Sequence, residues 1–302
     1  MSTPPAGTTN KWIFSRNDYL APLPIPTGEK PSDVLNTIWR KNDAFLDIGS
    51  YSIGSAVMVI WPMVLLFALL SYITPDPLIW GGGLIFVGIP ILLVIQGLFL
   101  DVPLPIRFNR QRREVCIPQE GGKYWIVPWE SVTAAATQHS SVSQAGKATM
   151  GLLVIGFENP DPQESEDNRH FSLSFNCGGG TTAMALWECI RSYMEIGPDA
   201  VPDSRVGIAP YEETQIGSII TDLRKGDILT ALWGIFCITI LGTYLAEKLQ
   251  DLKLSHPPEL TYPAIVEWSK PLPPEQWAKR SPELEAAIAK REAELKTSAQ
   301  AA

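Results

Sequence analysis

The chain has 302 residues, a formal net charge of -8 and 45% hydrophobic residues, with a mean hydropathy of +0.05 and a pI near 5.0. The acidic balance excludes general nucleic-acid binding, which needs a basic face. The four cysteines (Cys116, Cys177, Cys189, Cys237) form no CxxC pair, so neither a zinc site, a disulfide framework nor a cofactor is expected.

The near-zero hydropathy averages two kinds of sequence. No charged residue lies between Asp47 and Asp76, between Asp76 and Asp101, or between Asp227 and Glu247. A bilayer core takes about 20 apolar residues to cross as a helix. This pattern predicts a membrane protein rather than one compact soluble domain. No secretory leader is visible ahead of the first apolar run, which would stay in the protein as an uncleaved anchor.

In chain order, residues 1–48 form a cytoplasmic N-terminal segment. Residues 1–30 are rich in Pro, Thr and Gly and are expected to be mostly unstructured, with 11–20 a short docked element. From Pro31, Ser32 or Asp33 can cap a helix, and Leu35, Ile38, Trp39 and Phe45 recur near helical spacing beside Arg40 and Lys41. The expectation is a short amphipathic helix, on the membrane surface or packed on the central domain.

Residues 49–100 form a transmembrane hairpin, with spans at 49–73 and 78–100 joined by Thr74-Pro75-Asp76-Pro77. Tyr51, Tyr72 and Trp80 lie near span ends, where amphipathic rings prefer the headgroup region. Pro62 and Pro90 fall near the midpoints, as a paired hinge or as ordinary tolerated kinks. Basic residues flank both outer ends: Lys30, Arg40 and Lys41 before, Arg107, Arg110, Arg112, Arg113 and Lys123 after. The positive-inside rule then places these flanks in the cytoplasm and the hairpin tip outside. Within the spans Gln96 is the one strongly polar side chain, which argues against a pump or transporter.

Residues 102–196 are expected to be a cytoplasmic β-rich domain. Short strands at 104–108, 112–117, 124–127, 132–137, 152–157 and 170–175 are separated by turn signals, Glu120-Gly121-Gly122-Lys123 foremost. A helix follows Gly178–Gly180 and runs to about Ile196. Residues 197–226 are expected to be linker, 228–246 a third span, and 247–302 a Pro-rich and helical tail, periplasmic if the third span crosses. Ser281-Pro282-Glu283 is a good helix start. The fold class is therefore an α+β membrane protein: a transmembrane α-hairpin, a small β-barrel or sandwich closed by a helix as in pleckstrin-homology-like domains, a third transmembrane helix and a helical tail.

The candidate binding residues are Arg107, Arg110, Arg112 and Arg113, with Trp129. Basic side chains just cytoplasmic of a span attract anionic headgroups by about 1 kcal/mol each. They serve either as a topology determinant with headgroup contact to membrane lipid or as a docking site for an acidic partner or a lipid phosphate. The triple glycine before a helix is an anion nest or simple turn chemistry. His139 and His170 lack ligand partners at metal spacing, and the acidic loop with Asp161, Glu164, Glu166 and Asp167 lacks EF-hand spacing. No nucleophile constellation is evident, so no enzyme is expected.

The run Pro105-Ile106-Arg107-Phe108-Asn109-Arg110-Gln111-Arg112-Arg113-Glu114-Val115, followed by Pro128-Trp129-Glu130, resembles a bacterial membrane family of unknown function. Its members place a transmembrane hairpin ahead of such a β-domain, and they are associated with type VI secretion effector gene neighbourhoods. The resemblance covers roughly residues 30–200 and implies a setting rather than a chemistry. It implies a bacterial inner-membrane protein whose partner is a secreted effector or a secretion component, in an immunity or accessory role. The alternative is a regulatory or lipid-sensing membrane protein that uses the β-domain on anionic lipid.

Overall fold

A computed structural model of the chain describes residues 4–143, 146–161, 163–165, 168–206 and 211–300. Glu166 and Asp167 of the expected acidic loop lie outside the described residues. The chain divides into two compact units. Unit 1 comprises 1–50, 104–204 and 259–302, and unit 2 comprises 51–103 and 205–258.

Among the described residues, unit 1 carries ten strands in two antiparallel sheets. One has the order β1 (Thr9–Lys11), β2 (Ser15–Ala21), β8 (Thr133–Ser143), β9 (Gly146–Glu158), β10 (His170–Asn176). The other has the order β3 (Ile38–Lys41), β4 (Phe45–Ile48), β5 (Ile106–Asn109), β6 (Glu114–Pro118), β7 (Tyr124–Pro128). The Glu120-Gly121-Gly122 turn forms between β6 and β7 as expected. Gly121 and Gly122 take φ +71 and +80 there, a region that favours glycine.

The amphipathic helix expected after Pro31 is absent; that segment is a β-hairpin. Asp33 does not cap a helix. Its carboxylate instead accepts the backbone N–H of Thr37 at 2.9 Å and of Ile38 at 2.8 Å in an irregular loop. Asn42 then accepts from Ala44 and Phe45, both at 2.8 Å, and turns the chain between β3 and β4. Residues 1–30, expected to be mostly unstructured, supply β1 and β2. The β-domain is therefore not the continuous stretch 102–196, because four of its ten strands precede the hairpin.

Helix α3 (Gly180–Glu195) closes the core between and beside the sheets. Trp129 stacks on Trp187 with centroids 5.4 Å apart, and Phe108 meets Trp129 edge-on at 5.9 Å. Each large apolar side chain so buried contributes about 1.5–3 kcal/mol. The tail adds α7 (Pro263–Trp268) and α8 (Pro282–Gln300) to the same unit. The latter starts at the expected cap, where Ser281 Oγ accepts the Leu284 N–H at 3.1 Å.

Unit 2 holds the apolar helices α1 (Gly54–Ile73) and α2 (Pro77–Phe99), both long and apolar enough to cross a membrane. Only 6% of each apolar window is buried, so they are apolar on every side, as lipid-facing helices are. Pro62 sits within an unbroken α1, and Pro90 follows a π-helical turn at Leu84–Gly88. Asp76 caps α2 by accepting from Leu78 N at 2.8 Å.

The second part of unit 2 departs from expectation. The supposed linker contains α4 (Gln215–Lys225), capped by Thr214. The supposed third span is two helices, α5 (Ile228–Leu241) and α6 (Thr243–Leu254), meeting at 71°. Gly242 makes the bend at φ +67, where a Cβ would strike the Trp61 ring of α1. Trp61 Nε1 donates to the Thr239 carbonyl at 2.8 Å, satisfying a group released at the break.

Candidate functional site

The β5–β6 turn carries the arginines singled out in the sequence. Asn109 builds the turn: its Oδ1 accepts the backbone N–H of Gln111 and Arg112, each at 3.1 Å. Arg113 ends it at φ +54, a left-handed backbone for a residue with a side chain.

Of these four arginines, expected to touch lipid or a partner, two lie inside the protein. Arg107 and Arg113 are buried, at 5% and 8% exposure. Arg107 lies directly opposite Asp47 across β4 and β5. Its Nε and Nη2 donate to Asp47 at 2.6 and 2.7 Å, and its Nη1 donates to Ser269 Oγ at 2.9 Å. A guanidinium buried without such partners would be prohibitively costly. Arg107 also lies 3.7 Å over the Phe45 ring.

Arg113 belongs to a second buried network. Its Nη1 and Nη2 donate to Glu195 at 3.2 and 2.9 Å, and Nη2 also donates to Glu130 at 3.0 Å. Glu195 further accepts from Trp129 Nε1 at 2.8 Å and from Arg280 Nε at 2.6 Å. Burial raises the pKa of the Glu195 carboxyl, but the hydrogen bonds and charges of Arg113, Trp129 and Arg280 outweigh it, leaving the pKa below the ordinary value. Trp129 is fully buried and presents no binding surface.

Arg110 and Arg112 are half-buried and hold backbone carbonyls. Arg110 Nη2 donates to Ile196 O at 3.1 Å and its guanidinium lies 5.1 Å from the Trp277 ring centre. Arg112 Nε donates to Trp268 O at 2.9 Å. What the turn binds is the chain's own tail. Trp268 Nε1 donates to Glu114, Leu272 N to Gln111, Ala278 N to Gln111 O and Ser281 N to Glu130.

Asp47, Glu195, Trp268 and Arg280 were missed as site residues. Asp47 was readable as the lone acid in an apolar strand, with Arg107 in the matching place of the next one. Nothing local distinguished Glu195 or Arg280, because their meeting depends on where the tail folds.

Among the described residues no group of three or more metal-ligating side chains occurs. Gly178 takes φ +71, and Gly179 precedes α3 without a side-chain cap, so the triple glycine turns the chain into the helix. Burial pushes the Cys116 and Cys189 thiols up to about 12, which keeps them protonated and unreactive. A small polar cavity of about 220 Å³ lies between the N-terminal strands, α3 and α8, with Arg16, Asp18, Glu29 and Arg291 in its wall. Its charges of both signs are in balance, and it selects no ligand class.

Comparison with protein-family models, curated proteins and solved structures finds no match.

Proposed function

We propose that this chain is a membrane-anchored binding protein of a bacterial inner membrane, an immunity or accessory protein for a type VI secretion effector, acting by protein contact rather than catalysis. One observation carries this reading: unit 1 is a single body assembled from three chain segments, and it sends the apolar hairpin out between its adjacent strands β4 and β5. That construction holds a rigid surface at a membrane. The secretion setting comes from the resemblance of the 105–115 run.

The order β4 to β7, β8 to β10, then α3 supports a pleckstrin-homology-like module, with the hairpin inserted after its first strand and β1 to β3 added. The basic flanks of the hairpin support a cytoplasmic unit 1. The segment 228–254 is read as a re-entrant or surface-lying helix pair, in keeping with its 71° bend.

Tail and β-domain belong to one compact unit, so they share a side of the membrane. That common unit supports a tail on the same side as the β-domain, in place of the expected periplasmic tail, so that a partner meets both in one compartment. The lipid-sensing alternative loses Arg107 and Arg113, whose charges are spent inside the protein.

The test is protection. A strain lacking this protein is challenged by neighbours delivering the effector encoded beside it. Survival restored by the full chain, with the effector co-purifying from membranes, is the expected result. Full membrane expression with neither protection nor co-purification contradicts the reading.

A further inference from the structure

We propose that the β1–β2 turn, Trp12-Ile13-Phe14, is a second contact of unit 1 with the lipid bilayer, inserted at the boundary of headgroups and acyl chains. The inference rests on the membrane reading of α1 and α2 and not on the binding function.

Three large apolar side chains stand in tandem here between two basic residues, Lys11 and Arg16. They are exposed by 72%, 90% and 59%. Elsewhere among the described residues of unit 1 such exposed side chains come singly, as at Val34, Ile196 and Val266. Single exposed apolar residues are ordinary, whereas a contiguous cluster marks a surface with an occupant.

The turn is built to hold this cluster out. Trp12 N donates to Ser15 O and Ser140 N to Phe14 O, both at 2.7 Å. Thr9 Oγ1 and Arg16 Nη2 both donate to Asp18 Oδ1 and brace the two strands. β2 is zipped to β8, with Ser15 opposite His139, and His139 is in turn opposite Met150 on β9. Met150, 52% exposed, thus adds a fourth apolar side chain at the same end of the sheet. A tip fixed in advance loses little entropy when it inserts.

The bilayer is the occupant that is always within reach. β4 ends at Ile48 and α1 begins at Gly54; α2 ends at Phe99 and β5 begins at Ile106. These connectors of six and seven Cα steps extend to about 20 and 25 Å at most. The chain itself therefore tethers unit 1 beside the bilayer, while a second copy or another protein would have to be recruited. The chemistry also fits lipid. Trp prefers the interfacial layer, and the exposed Lys11 beside it favours an anionic leaflet, the charge of Arg16 being paired with Asp18.

The experiment places an environment-sensitive nitrobenzoxadiazole label on Ile13→Cys, in the full chain carrying Cys237→Ala, in nanodiscs of phosphatidylcholine with one quarter phosphatidylglycerol. The control label sits on Asp43→Cys, in the exposed β3–β4 turn at the end of its sheet away from the hairpin. The expected result is blue-shifted emission at position 13 and severalfold stronger quenching by lipids bearing a shallow doxyl group than at position 43. Equal, water-like emission and equal quenching at both positions overturns the proposal. Protection of position 13 only in discs holding two chains overturns it in favour of a contact between copies. Ile13 is the most exposed of the three, so its replacement leaves the fold intact, and an unchanged circular dichroism spectrum verifies this.

Discussion

Arg280 of the tail donates through Nε to Glu195 Oε2 at 2.6 Å and through Nη2 to the Glu195 carbonyl at 2.6 Å, across 85 residues of sequence. Glu195 is the last residue of α3, and its carboxylate also holds Arg113 and Trp129. One buried acid thus joins the core helix, the arginine turn and the tail. Everything between 205 and 258 leaves this body and comes back to it.

Glu195→Ala leaves the buried Arg113 guanidinium without its main partner. Breaking one side of a buried pair costs about 3–5 kcal/mol. The variant should unfold at lower denaturant, and its tail should be cut by trypsin at Lys279 and Arg280 much faster than in the parent. Wild-type cleavage rates would show that the network does not hold the tail.

The same carboxyl sets an acid limit. Its folded pKa lies below the unfolded value, so its contribution is present in full above the ordinary glutamate value of about 4.3 and is lost as pH falls through the folded value. Unfolding free energy measured from pH 8 to 3 should therefore lose this contribution only at the acid end. Glu195→Gln should flatten that part of the curve and leave the slope between pH 5 and 8 unchanged.

The membrane hairpin, the Gly121-Gly122 turn, the β5, β6 and β7 strands and the Ser281 cap were all legible in the sequence, because each rests on a local rule of span length, turn chemistry or capping. The N-terminal strands were not. Leu35, Ile38 and Trp39 carry helical spacing, but the partners that make strands of 38–41 and 45–48 lie beyond a hairpin insertion. The arginines were legible as a cluster and misread as surface. Charge count shows where arginines are, not that Asp47 and Glu195 wait inside for two of them. That the tail joins the β-domain in one unit was not legible, because its partners lie far off in sequence and the apolar run of α5 hides the bend at Gly242.

Asp47→Ala should be among the most harmful single changes in the chain. It leaves Arg107 buried against Phe45 at the point where the hairpin enters and leaves the sheet, with a cost of about 3–5 kcal/mol. Loss of folded protein from membranes, read by detergent-resistant size-exclusion yield, checks this. Arg112→Ala, which removes one partly buried bond to Trp268 O, should cost about 1–2 kcal/mol.

Cys116 and Cys189 should resist a charged maleimide at pH 8 in the folded protein and react fully in denaturant. Both are buried, and their thiols are pushed up to about 12. Mass spectrometry of the labelled chain reports each site. Rapid labelling of either in the native state would mean that the core around it opens.

The shared side of the tail and the β-domain is most directly tested by one-sided labelling. Cysteines introduced one at a time at Glu120, Ser298 and Asp76, in the chain carrying Cys237→Ala, are exposed to an impermeant maleimide in sealed vesicles of known orientation. Positions 120 and 298 should label from the same side and position 76 from the other. Labelling of 120 and 298 from opposite sides would contradict the account.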